Sequence, residues 1–169
     1  DGFVEYKCIK SAPPSALCVG ALSGPLGENG FASIDVDQID NGSFHPNEND
    51  FTLSLNQDIF NCEDIGENTV VLTASDDFGQ SSECQTVVTI ADALAPILTC
   101  PENIAVACDT SALESTGFAL VTDNCDASPM LSYTDNVIGN CDWACTIERR
   151  WKSLDVQGNE SACLQVIER

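Results

Sequence analysis

Positive charge is what this sequence most lacks. Its 169 residues hold six Lys and Arg against 27 Asp and Glu, a formal net charge of −21. The six are Lys7, Lys10, Arg149, Arg150, Lys152 and Arg169, so the stretch from Ser11 to Glu148 has none while carrying 22 of the acids. Phosphate binding rests on Lys and Arg, so nucleic acid is excluded as a partner. Those carboxylates have almost no cationic side chain to meet, and are either solvated or neutralised by bound cations. Histidine is nearly absent too: His45 is the sole imidazole. A nucleophilic triad therefore lacks parts, because a base also needs an orienting partner that nothing here marks. No run approaches the ~20 apolar residues of a membrane span. No long 3.6-residue periodicity and no Lys/Glu helix face appears, which argues against helices. No signal peptide opens the sequence, the expectation for a mature or excised segment.

Apolar residues reach 43%, enough for a buried core and too many for a disordered chain. Cysteine sets the compartment. The ten are Cys8, Cys18, Cys62, Cys84, Cys100, Cys108, Cys125, Cys141, Cys145 and Cys163. An even, dense and dispersed set reads as a disulfide framework formed in an oxidising place. Zinc would need close ligand pairs such as C-x2-C, usually with histidine, and no C-x2-C occurs.

The spacings repeat. Asp76 precedes Cys84 by eight and Gly79 precedes it by five; Asp155 and Gly158 stand likewise before Cys163. Cys62 lies 22 before Cys84, and Cys141 lies 22 before Cys163. Pro14 and Pro96 each sit four before a cysteine, Cys18 and Cys100. Two units share the frame Pro-x3-Cys, Cys, Asp-x2-Gly, Cys, which means duplicated modules. The expected division is an N-terminal extension strand over 1–13, one module over 14–92 and a second over 93–169. The joint Ala91-Asp-Ala-Leu-Ala-Pro96 is too short for a flexible tether, so end-to-end modules of limited freedom are expected.

Local signals read as strand throughout. Thr69-Val-Val-Leu-Thr-Ala-Ser75 is rich in β-branched residues, Asp77-Phe-Gly79 is a turn, and Gln85-Thr-Val-Val-Thr-Ile90 returns. The second copy of this hairpin runs from Thr146 to Ser153 and from Ala162 to Ile167. Phe51-Thr-Leu-Ser-Leu55 alternates as a half-buried strand should. Ile104-Ala-Val-Ala107 and Phe118 to Thr122 add more. Turn signals recur about every ten residues, the spacing of an all-β sandwich.

Four runs resemble a known group. Phe31-Ala-Ser-Ile-Asp-Val-Asp-Gln-Ile-Asp-Asn-Gly-Ser43, Thr99-Cys-Pro-Glu-Asn-Ile-Ala-Val-Ala-Cys108, Thr122-Asp-Asn-Cys125 and Asp155-Val-Gln-Gly-Asn159 look like hyalin-repeat-type, immunoglobulin-like modules of large surface proteins of gliding bacteria. The resemblance covers nearly the whole chain from Pro14. It implies two tandem immunoglobulin-like β-sandwich modules, adhesive or structural roles, a bacterial cell-surface or secreted location, and no catalytic site. The family often carries Ala-Cys-Gly-Asn where this chain has Val156-Gln157-Gly158-Asn159, and Cys145 stands in an unusual place, so its pairing is rearranged relative to the family pattern.

Several residues carry specific expectations. Two disulfide schemes fit duplicated modules. One joins Cys18–Cys84 and Cys100–Cys163, leaving Cys8–Cys62, Cys108–Cys125 and Cys141–Cys145. The other joins Cys62–Cys84, Cys141–Cys163 and Cys8–Cys18. Cys141-Asp-Trp-Ala-Cys145 is not C-x-x-C and reads as a local disulfide rather than a redox site. His45, in the turn-like run Gly42-Ser-Phe-His-Pro46, reads as a surface-loop residue. Calcium is the cofactor the acids suggest, with Asp35, Asp37, Asp40, Asp76, Asp77, Asp92, Asp123 and Asp126 as candidate ligands, since calcium takes six to eight hard oxygens. None of these matches an EF-hand. Paired carboxylates are too widespread to mark a glycosidase cleft. Trp151 holds the frame position of Leu72 and reads as core, while Trp143 reads as a contact residue. Asn41-Gly-Ser43 and Asn159-Glu-Ser161 are sequons, expected to be unmodified in a bacterial protein.

The expected function is non-enzymatic: an extracellular subunit or repeat segment of a surface filament or stalk. The alternatives are a surface adhesin module binding a glycan or matrix protein, and a non-catalytic accessory module of a secreted enzyme. Residues 1–13 lie outside the repeat frame, yet Phe3-Val-Glu-Tyr-Lys-Cys-Ile9 reads as a strand that must pair with a sheet. It folds back on the first module or adds to an edge of a neighbouring copy. Phe3, Val4, Tyr6, Lys7 and Ile9 are the expected assembly residues, with a homopolymer or neighbouring repeats as partner.

Overall fold

The computed structural model describes residues 12–107, 116–142 and 144–169. The chain is all-β and forms two immunoglobulin-like β-sandwich modules, tandem in sequence and stapled by disulfides. Chain contacts divide it into a first unit of residues 1–26 with 31–91 and a second of 27–30 with 92–169. Among the described residues, no helix is long and apolar enough to cross a membrane.

The first unit contains β1 (Ala21–Pro25), β2 (Phe31–Ser33), the single helical turn α1 (Val36–Ile39), β3 (Phe51–Leu55), β4 (Ile59–Asn61), β5 (Gly66–Asp76) and β6 (Ser81–Ala91). A four-stranded sheet is ordered β1-β6-β5-β3, and β2 pairs with β4 in a two-stranded sheet. The β5–β6 hairpin forms because its apolar residues alternate and one face leaves water. Val70, Leu72, Ala74 and Asp76 of β5 and Thr86, Val88 and Ile90 of β6 are buried. Burying a side chain such as Leu72 contributes about 1.5–3 kcal/mol. The turn between the strands needs left-handed backbone at Gly79, where φ is +76°; glycine adopts this without a Cβ clash.

The second unit contains β7 (Ile97–Thr99), β8 (Ile104–Ala105), β9 (Leu120–Thr122), β10 (Met130–Asn140), β11 (Ala144–Leu154) and β12 (Glu160–Glu168). Its four-stranded sheet runs β10-β11-β12-β8, and β7 pairs with β9. The repeat frame reappears as register: Leu72 faces Cys84 across β5–β6, and Trp151 faces Cys163 across β11–β12. Cys84 bonds Cys18 and Cys163 bonds Cys100, closing loops of 66 and 63 residues. Loop closure of that length stabilises by about 4 kcal/mol in the chain-entropy account. Cys141 bonds Cys145. Cys62 and Cys125 are disulfide-bonded as well. Cys8 and Cys108 lie outside the described residues, so the Cys8–Cys62 and Cys108–Cys125 pairs remain expectations. Phe3, Val4, Tyr6, Lys7, Ile9 and Trp143 also lie outside them.

The two cores differ in chemistry. Where the first unit buries Leu72, the second buries Trp151 beside Arg149, which is 2% exposed. Arg149 grips Asp135 with two parallel bonds, Nε to Oδ1 at 2.8 Å and Nη2 to Oδ2 at 2.9 Å, and donates from Nη1 to Thr116 Oγ1 at 3.1 Å. Its guanidinium lies 4.0 Å over the Tyr133 ring, which packs 5.0 Å from Trp151. The Asp135 bonds raise the Arg149 pKa against the opposing effect of burial. Trp151 Nε1 donates to Gln165 Oε1 at 3.4 Å, and Gln165 Nε2 donates to the carbonyl oxygens of Thr116 and Glu102.

His45 corrects the sequence expectation: it is 6% exposed rather than a surface-loop residue. Reciprocal backbone bonds between Ser15 and Phe44, at 2.7 and 3.1 Å, pin the turn down and carry the next residue inward. There His45 Nδ1 accepts from Asn47 N at 3.1 Å, and Nε2 faces Asp76 Oδ2 at 3.4 Å. Burial works against ionisation of Asp76, but the backbone N–H groups of Gln80 and Phe78 and the His45 ring outweigh it. They hold the carboxyl below its ordinary 3.8.

Two outcomes follow. Arg149→Ala removes a side chain that is 2% exposed and leaves Asp135, 21% exposed at its side chain, without its bidentate partner, so the cost should exceed the ~0–1 kcal/mol of a surface pair and stay below the ~3–5 kcal/mol of a fully buried one. Urea unfolding should show that loss, and a loss below about 1 kcal/mol would reduce the network to a surface-like pair. For Asp76 the sign follows from the depressed pKa. As pH falls, the unfolded chain takes up this proton first, so the carboxylate contributes stability above 3.8 that is lost as pH drops through and below that value. Asp76→Asn should be less stable at neutral pH and show a shallower acid limb in urea titrations between about pH 5 and pH 3. An unchanged acid limb would remove Asp76 as its source.

Candidate metal centre

Among the described residues, one group of acids converges. Asp92, Asp123 and Asp155 each place a carboxylate oxygen within 4.8 Å of the others. All belong to the second unit. Asp92 follows the end of β6, Asp123 directly follows β9, and Asp155 opens the β11–β12 turn. Strand ends suit this task, because the sheet fixes the backbone while the loop frees the side chain.

Asp155 is held at both oxygens, Asp92 and Asp123 at one each. Asp155 Oδ1 accepts from the backbone N–H groups of Gln157 and Asn159 at 2.9 and 2.8 Å, and Oδ2 accepts from Asn159 Nδ2 at 2.8 Å. Asn159 Nδ2 also donates to the Asp92 carbonyl at 3.1 Å, tying the two residues together. Asp123 Oδ2 accepts from Cys125 N at 2.9 Å and Asp126 N at 2.8 Å. Asp92 Oδ1 accepts from Leu94 N at 3.2 Å and Asn124 Nδ2 at 3.1 Å. Burial disfavours the charged form of Asp155. Its bonds from the Asn159 side chain and from the backbone of Asn159, Gln157 and Gly158 more than offset this and hold the carboxyl below 3.8.

Two oxygens remain. Asp92 Oδ2 and Asp123 Oδ1 are buried and have no hydrogen-bond partner among the described residues. Buried polar atoms are normally paired, and an uncompensated buried carboxylate oxygen is costly. A cation held by these two carboxylates and that of Asp155 would compensate them. The donor set is all hard oxygen, which fits calcium and not zinc.

The other candidate ligands lie elsewhere. Asp35 is the N-cap of α1 and donates its N–H to Gln38 Oε1; Asp37 sits in that helical turn. Asp40 accepts from Ser43 N at 2.9 Å, and its bond with the Ser43 side chain is the leading cause of a lowered pKa. Asp76 meets His45, and Asp77 is exposed in the β5–β6 turn. Asp126 accepts from Ser128 N and Val156 N. Sequence reasoning left Asp155 out of the ligand set and used it as a frame residue. The signal was its pairing with Asp76 in the repeat, which marks an acid that both turns need.

No family model matches this sequence, and no curated protein matches it. Solved structures with some likeness are the four-domain extracellular fragment of protocadherin gamma B7 (12% identity, TM-score 0.40, 93% of this chain and 49% of that one); the protocadherin gamma B4 extracellular domain (13%, 0.41, 92% and 31%); and mouse clustered PcdhgC3 EC1-3 (14%, 0.40, 92% and 67%). The chain spans about half of the first of these, and less of the second.

Proposed function

We propose that this chain is an extracellular structural and adhesive module of a surface assembly, a subunit or repeat segment of a filament or stalk. The observation that carries the reading is the duplication itself. Each unit closes its sandwich with a long-loop disulfide at the same frame position, Cys18–Cys84 and Cys100–Cys163. Repeated rigid modules serve spacing and attachment, and the buried His45 is committed to Asp76 rather than to a cleft. The partner is a second copy or a neighbouring repeat. The segment Phe3–Ile9, with Val4, Tyr6 and Lys7 between, is the contact: it adds as a strand to the next copy, and Lys7 and Lys10 meet acidic surface there. A heterologous contact of this kind propagates as an open filament when its rotation does not close. Calcium is the cofactor of this reading, held by the second unit. A surface in the same unit favours a second reading, adhesion to a separate ligand: Ile97 and Leu120 are each 71% exposed and Phe118 is 65% exposed. Clustered apolar exposure marks contact sites.

Negative-stain electron microscopy and sedimentation of the full chain test the assembly. End-to-end polymers are expected, and truncation of residues 1–7, which keeps Cys8, should give monomers with an unchanged far-ultraviolet spectrum. A full chain that stays monomeric at high concentration, or a truncated chain that still polymerises, would shift the function to a monomeric adhesin.

A further inference from the structure

The two units build the same turn on the same acid. Asp76 Oδ1 accepts from Phe78 N and Gln80 N, and Oδ2 takes the Gln80 side-chain amide. Asp155 repeats this with Gln157 N, Asn159 N and the Asn159 amide. Beyond that shared frame the units diverge. In the first, Asp76 Oδ2 also faces His45 Nε2. Because His45 Nδ1 accepts from Asn47 N, Nε2 carries the ring proton and supplies a donor. In the second, Asp155 meets Asp92 and Asp123 instead. The sequence frame shows the same exchange of sign: the residue four before Pro14 is Lys10, and the residue four before Pro96 is Asp92.

We infer that Asp92, Asp123 and Asp155 bind one calcium ion per chain, and that His45 fills the corresponding place in the first unit, which takes none. The inference rests on the calcium reading above and deepens it by naming the ligands and the count. Asp92 is 7% exposed, and among the described residues its Oδ2 has no partner, like Asp123 Oδ1. Separations within 4.8 Å are what calcium–oxygen bonds of about 2.3–2.6 Å span. Asn124 holds Asp92 Oδ1 and leaves Oδ2 without a partner among the described residues, and Asn159 fixes the Asp155 carboxylate as an outer-shell partner does. Without the ion, three carboxylates repel one another in a partly dry site. The cation therefore fastens the segment after β6, the end of β9 and the β11–β12 turn into one piece.

Calorimetric titration of chelator-stripped full-length chain with calcium chloride reads the count and the ligands. One equivalent is expected. Asp92→Asn and Asp123→Asn should each weaken binding by more than the ~10–100-fold that outer-shell changes cost, and His45→Ala should leave count and affinity unchanged. Asn keeps the size and the turn-capping oxygen, so both variants should fold. Their melting provides a second readout with a sign reversal: in chelator each should melt at or above the parent, since a repelling charge is gone, and in calcium below it. Two equivalents per chain, binding undiminished in both variants, or affinity that falls in His45→Ala overturns the assignment and leaves calcium dependence standing. Absence of binding at millimolar calcium removes both. None of these results bears on polymerisation, which the truncation reads separately.

Discussion

Buried negative charge is the constraint on which this architecture turns. A chain with 27 acids and six bases cannot neutralise its carboxylates in pairs. Most stay in solvent at little cost. The few that leave water each need a donor or a cation, because a desolvated carboxylate without one is among the most expensive groups a fold can hold. The molecule meets this need in three ways. Asp76 receives backbone N–H groups and an imidazole. Asp135, still 21% exposed at its side chain, receives a bidentate guanidinium from one of the six bases, itself the buried member of the pair. Asp92 and Asp123 keep oxygens that no group among the described residues satisfies, and both carboxylates cluster with that of Asp155.

The duplication shows how one scaffold accommodates these answers. The hairpins β5–β6 and β11–β12 share register, disulfide position and turn. A sandwich needs only alternation and sufficient volume at the central cross-strand position, so Leu72 and Trp151 both serve there. The larger ring brings requirements of its own. Trp151 has an indole N–H to satisfy, and Gln165 accepts it while donating to two backbone carbonyls. Arg149 beside it is tolerated only because Asp135, Thr116 and the Tyr133 face together replace its hydration. The first unit, with an apolar centre, places its polar pair at the turn instead.

Much of this was open to reading in one dimension. Alternating β-branched runs and evenly spaced turn residues determine an all-β sandwich, because a strand with one wet face has no other way to bury the dry one. The equal spacings around Pro14 and Pro96, and around Cys84 and Cys163, determine two copies of one module. Cysteine count determines an oxidising compartment, and the scarcity of Lys and Arg excludes nucleic acid. These are properties of composition and short-range period, which survive without any knowledge of how segments meet.

Tertiary structure alone decided the rest, because it depends on contacts between residues far apart in the chain. Asp92, Asp123 and Asp155 converge only after β9 and the β11–β12 turn are brought beside the segment that follows β6. In sequence, six other acids, Asp35, Asp37, Asp40, Asp76, Asp77 and Asp126, looked as good as Asp92 and Asp123 and better than Asp155, since an acidic loop and a cation cage have the same composition. His45 looked like a turn residue, and it is one; the Ser15–Phe44 bridge is what turns it toward Asp76 and dries it. Arg149 stands next to Arg150 in sequence, yet strand alternation places it inward while Arg150 faces out. Sequence period sets which face a residue takes, but the partner waiting on that face is supplied by another strand, and no local pattern encodes it.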